Sequence, residues 1–214
     1  MWSTSLGSIA YPTIFRLCDE REEDLMQSIT FTNEDLAKRV AKVGDLEPNE
    51  GGFPDSDLPG CRRTLSNIIG FRPPADNRGA NGEEVMSPVG NKSSSRSPID
   101  ISEGFNMAYV DATPGNGTIL HNHDTNETFV VITGRWRFWV NDDEDLSVEL
   151  EPLDTISLPP GVPRRFTNIT TDTGQDETNR MLVIIAGAQP QAIMEPEVLE
   201  LARSNGTYTP AARP

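Results

Sequence analysis

Cysteine and histidine are scarce: the 214 residues contain two of each. Two cysteines, Cys18 and Cys61, cannot staple a chain of this length. A disulfide scaffold is therefore excluded, and both read as free thiols of a reducing cytoplasm. Aromatics reach only 7% and hydrophobic residues 36%, enough for one ordinary core with a large share of loop and surface. Basic residues are short as well: 18 Lys and Arg stand against 33 Asp and Glu, for a net charge of −15. That field repels a phosphate backbone, and no basic patch offsets it, so no nucleic-acid partner is expected. No apolar stretch approaches the roughly 20 residues of a membrane span, so no membrane association is expected either. The segment Met1–Leu6 lacks a basic stretch followed by an apolar run. No secretory signal is expected there, and the expected location is cytoplasmic.

Glycine and proline are plentiful, at 17 each, which favours a turn-rich β protein over a helical bundle. Residues 1–98 read as an N-terminal extension followed by a long loop. Within it, Thr32 or Asn33 can cap a short helix with Glu34 and Asp35 in its first turn, where the helix dipole favours acids. Leu36, Ala37, Val40 and Val43 then share a face suited to packing on the rest of the protein, and Gly44 marks the end. The Pro-, Gly- and Ser-rich stretch over 72–98 holds few apolar residues and reads as a covering loop or a lid. From Ile99 the pattern is strand after strand: 105–111, 117–123, 127–133, 135–140, 146–151, 155–158, 164–168 and 181–186. Such spacing over 99–190 predicts an all-β sandwich or jelly roll. The tail, 191–214, carries a short helix from Pro196 to Arg203, docked by Val198, Leu199 and Leu201.

Both histidines fall in one neighbourhood, His121 and His123. On a strand this spacing points both imidazoles to one face. Asp124-Thr125-Asn126 can turn the chain so that Glu127 comes back beside them. Two imidazoles and a carboxylate with open positions suit Fe(II), Mn, Zn, Co or Ni, and match the donor set of non-haem iron sites.

Gly115, His121-Asn122-His123, Glu127 and Gly134 stand at the spacing of the first cupin motif, and here the sequence resembles the cupin superfamily. The second motif is partly present in Asp154, Pro159-Pro160-Gly161 and Asn168. It departs at Leu153, in place of the usual opening glycine, and at Arg164, in place of the histidine that completes the metal site. The resemblance implies a double-stranded β-helix (jelly-roll) barrel with one divalent metal inside, iron foremost, on His121, His123 and Glu127. A barrel that has lost its metal is the alternative.

Arg164 stands three residues after Gly161, the register of the missing histidine, so strand alternation should point it inward. Three arrangements are open. A local shift could turn it away, it could bind a carboxylate or phosphonate in the pocket, or it could pair with Glu127 in place of the metal. With Glu127 inward, Phe129 and Val131 share its face, and Phe166 shares the face of Arg164. Trp136, Phe138 and Val140 form one set on their strand; Arg135, Arg137 and Trp139 form the other. An outward Trp139 would need cover from the extension or a second subunit. Arg164, Tyr109, Phe129 and Phe166 are the candidate substrate contacts, though the same aromatics could simply be barrel core. The resulting expectation is a homodimeric metal-binding cupin acting on a small, anionic organic molecule, with Fe(II)-dependent dioxygenation as one reaction it could support. A non-enzymatic small-molecule binder or sensor is the rival.

Overall fold

The computed structural model describes residues 29–50, 53–70, 88, 97–101, 103–172, 174 and 176–206. Cys18 and almost all of the 72–98 stretch lie outside them. The chain divides into two compact units, Met1–Ala37 and Lys38–Pro214. In the first, helix α1 spans Asn33–Ala37. Thr32 and Asp35 cap it reciprocally: the Asp35 amide donates to Thr32 Oγ1 (3.1 Å) and the Thr32 amide to Asp35 Oδ2 (3.0 Å). The helix is shorter than the apolar spacing predicts. Val40 and Val43 lie beyond it and are exposed, so no buried stripe holds further turns.

The second unit is built of strands β1 (Pro48–Glu50), β2 (Thr64–Ile69), β3 (Phe105–Ala112), β4 (His121–His123), β5 (Glu127–Val131), β6 (Trp136–Val140), β7 (Leu146–Leu150), β8 (Thr155–Leu158), β9 (Arg164–Asn168), β10 (Asn179–Ala186) and β11 (Ala192–Met194). They form a six-stranded sheet in the order β1-β2-β3-β10-β5-β8 and a five-stranded sheet in the order β11-β4-β9-β6-β7. The strand ladders are antiparallel, as in β10 on β3 and β6 on β9. This is the all-β jelly-roll barrel that the strand spacing predicts. Strands β1, β2 and β11 add to the predicted set.

Alternation along the strands buries one face of each sheet. Val110, Phe129 and Val183 from one sheet meet Trp136, Phe138 and Phe166 from the other in a single core. The aromatic rings pack at 5.0–5.8 Å between centroids, in tilted and edge-to-face pairs. Truncating any one of these rings to Ala would cost about 3–5 kcal/mol. Trp139 points outward, and its cover is supplied by Arg165, whose guanidinium lies 3.6 Å from the ring centroid, and by Arg137 on the same face.

Helix α2, Pro196–Ser204, begins with proline in its first turn. Val198, Leu199 and Ala202 are buried with Ala192 and Met194 of β11 and with Ile119. Leu201, expected to dock, is exposed instead; Ala202 takes the inward position. No helix among the described residues is long and apolar enough to cross a membrane.

Candidate metal centre

The centre lies where the two sheets approach each other. Strand β4 sits between β11 and β9, and its alternation buries His121 and His123 while Asn122 faces the other way. Asp124-Thr125-Asn126 then carries the chain across to the six-stranded sheet, where Glu127 opens β5 opposite Ile185 and Leu158. The Pro159-Pro160-Gly161 turn is fastened to β4 by the Gly161 amide, which donates to the His123 carbonyl at 2.9 Å. Its φ of +75° is a conformation that glycine adopts without strain.

His121, His123 and Glu127 are all buried, and one ligand atom from each lies within 4.8 Å of the others. Their orientation is fixed by the backbone. His121 Nδ1 lies 2.8 Å from the Ile119 carbonyl, and His123 Nδ1 lies 2.9 Å from the Gln191 carbonyl. A carbonyl only accepts, so each Nδ1 carries a proton, and an imidazole that is neutral keeps its Nε2 lone pair. Burial, reinforced by His123, pushes His121 down to about 4, so its imidazole is neutral at neutral pH. Burial alone would raise Glu127, but His123, His121 and Arg164 together hold its carboxyl below the usual range. His123 Nε2 is 3.3 Å from Glu127 Oε1, whereas the buried Oε2 has no hydrogen-bond donor among the described residues. Two free imidazole nitrogens and an anionic oxygen with an unused lone pair form a donor set that fits a divalent ion.

Arg164 opens β9 directly opposite His121 and is fully buried. Of the three arrangements open to it, the outward one is not found: Arg164 points inward, against Glu127. Arg164 Nε lies 3.7 Å from Glu127 Oε2, and one terminal nitrogen donates to the Pro159 carbonyl at 3.0 Å. Nε and Nη1 have no hydrogen-bond acceptor among the described residues. Burial lowers the pKa of the guanidinium and the Glu127 carboxylate partly offsets this.

A cavity of about 40 Å³ opens beside the three ligands. Phe129 and Phe166 line it, together with Val110 and Val183. Tyr109 does not. It lies on the opposite face of β3 from Val110, with the Arg180 guanidinium 4.7 Å from its ring centroid. The buried face of β3 carries Asn106, Ala108, Val110 and Ala112. The structure does not bring Tyr109 to the cavity. Arg164 stands behind Glu127 rather than among the cavity-lining residues.

The guanidinium that does line the cavity is Arg63, which the sequence pattern does not single out. It forms two bonds of 2.9 Å with fully buried Asp55 and also donates to the carbonyls of Cys61 (3.1 Å) and Gly117 (3.2 Å). Phe53 stacks on it at 4.5 Å. Asp55 in turn accepts the Ile119 amide at 3.2 Å, two residues before the first ligand. The segment preceding the barrel thus walls the cavity and braces the chain that presents His121.

Residues 108–184 match the family model of the cupin domain. No curated protein matches the sequence. Among solved structures, a cupin-2 domain containing protein from Shewanella frigidimarina is similar at 19% identity, covering 41% of this chain and 76% of that one, with a TM-score of 0.33. Vicilin from Corylus avellana is similar at 15% identity, covering 71% of this chain and 34% of that one, with a TM-score of 0.44. Oxalate decarboxylase from Lactobacillus farciminis is similar at 16% identity, covering 70% and 33%, with a TM-score of 0.43.

Proposed function

We propose that the cupin domain of this chain holds one divalent metal ion through His121, His123 and Glu127 and uses it on a small anionic organic molecule. The observation that carries this is the pair of backbone carbonyls on the two Nδ1 atoms, which frees both Nε2 lone pairs towards one buried carboxylate. Iron is the leading candidate, because two imidazoles and one carboxylate are the donors of non-haem Fe(II) oxygenases; Mn, Co, Ni and Zn accept the same set. A seated ion would supply Lewis-acid or redox chemistry. Around it, Phe129 and Phe166 limit water, and Glu127 keeps an anionic oxygen available. Fe(II)-dependent dioxygenation is the reaction class we favour, in a cytoplasmic homodimer.

A second reading is favoured by the contact between Glu127 and Arg164, which leaves the site neutral with nothing bound. On that reading the barrel is a metal-free binder or sensor of small molecules. Elemental analysis of protein purified without chelator or metal-affinity tag separates the two. About one metal per chain is the expected result, followed by oxygen uptake with some member of a panel of small carboxylic and hydroxy acids. No metal, and no uptake on reconstitution with Fe(II), Mn(II), Ni(II) or Zn(II), would leave the metal-free binder.

A further inference from the structure

The charges around the centre add up in a way that the ligand set alone does not reveal. Of the groups described, Glu127 carries one negative charge and Arg164, 3.7 Å away and fully buried, carries one positive charge. Both imidazoles keep their lone pairs for a metal and are neutral when they ligate. Arg63 is neutralised by its two bonds to Asp55. With both imidazoles neutral and no metal, the interior is balanced. With a dication on His121, His123 and Glu127, two positive charges stand uncompensated among Phe129, Phe166 and Val110. An uncompensated charge is strongly disfavoured in such surroundings. A histidine at position 164 would instead add a neutral ligand and leave one positive charge.

We propose that Arg164 makes metal binding at this centre depend on a small anion bound in the same cavity. This rests on the metal-binding reading given above and deepens it. Two features support it. The one anionic contact of Arg164, Glu127, is also a metal ligand and would be shared with the ion. The cavity volume of about 40 Å³ leaves space beside the ligands. A single water needs roughly 10–15 Å³ on the same measure, so the space suits a few waters or an anion the size of a one- or two-carbon carboxylate. The coupling is reciprocal: the anion tightens the metal, and the metal tightens the anion by the same factor.

Mn(II) affinity, read from the electron paramagnetic resonance signal of free Mn(II), tests this without any substrate or turnover. It is measured in the parent with acetate, with acetamide as the neutral isostere, and with neither. Acetate should tighten Mn(II) on the order of tenfold or more, in the ordinary range for two coupled sites, and acetamide should not. Arg164→Met and Arg164→His should both bind Mn(II) about tenfold more tightly than the parent without acetate, and both should lose most of the acetate effect. The two variants replace the guanidinium by an apolar and by a ligating side chain, so either one that folds gives the answer. Equal Mn(II) affinity in acetate and acetamide, or variants that bind no more tightly than the parent, would overturn the anion dependence and leave the metal site standing. No Mn(II) binding by parent or variants under any of the three conditions would overturn the metal site itself.

Discussion

Cys61 is buried, and the pull of Arg63 and Arg165 on its thiolate is outweighed. Burial, with a further push from the Asp55 carboxylate, raises it from 9.0 to about 11. The folded protein therefore holds the proton more tightly than the unfolded chain does. Stability from this group is complete below pH 9 and is lost as pH rises towards 11. Only the thiolate attacks, so Cys61 should resist Ellman's reagent at pH 8 and react after denaturation, which peptide mapping can distinguish from Cys18. Rapid labelling of native Cys61 would contradict its placement. The candidate metal-binding group was legible at this scale because the signal is local: His121, His123 and Glu127 lie within seven positions, on a strand and the turn after it. The inward direction of Arg164 was legible for the same reason, by register. Tyr109 falls outside the cavity lining because period two separates two faces without saying which is inside. Arg63 and Asp55 meet across eight positions of irregular chain, and nothing in their spacing announces a buried ion pair.

Strand β8 is preceded by a turn with a backbone conflict. Leu153 has φ of +78°, a conformation that non-glycine residues adopt at a cost of about 1–2 kcal/mol, and its side chain is 82% exposed. The turn is held by the Leu153 amide on the Val131 carbonyl (2.8 Å) and the Val131 amide on the Asp154 carbonyl (3.0 Å). Glycine usually opens the corresponding motif, so Leu153→Gly should stabilise the protein by up to about 1 kcal/mol after the loss of chain entropy is counted. Chemical denaturation measures this, and a destabilised variant would mean that the exposed Leu side chain has a role elsewhere. The segment 53–63 makes the opposite case. Arg63→Met strands Asp55 in the interior, and Asp55→Asn strands Arg63, so each should cost about 3–5 kcal/mol in the same assay. Changes within about 1 kcal/mol would show that the pair is solvated. Strands β3 to β10 were legible as short β-rich runs between turn residues. Strand β1, Pro48–Glu50, has no apolar residue, β11 has only three residues, and β2 is buried on both faces, so none carries a period-two signature.

At the scale of the whole molecule, the chain is strongly acidic. The net charge of −15 draws dications to the surface without specificity. Binding should therefore be measured near 0.15 M salt, where the Debye length is about 8 Å and exposed charges are screened while buried ones are not. Ligation by His121, His123 and Glu127 would tie β4 of one sheet to β5 of the other, so an ion there would clamp the two sheets and stabilise only the folded state. The most direct test is the melting temperature with and without Mn(II), in the parent and in His123→Ala. At a hundred-fold excess over the dissociation constant, the parent should gain about 2.7 kcal/mol, or roughly 5–10 °C, and His123→Ala should gain nothing. A variant that gains as much as the parent, or a parent that gains nothing, would contradict a metal centre on these three residues.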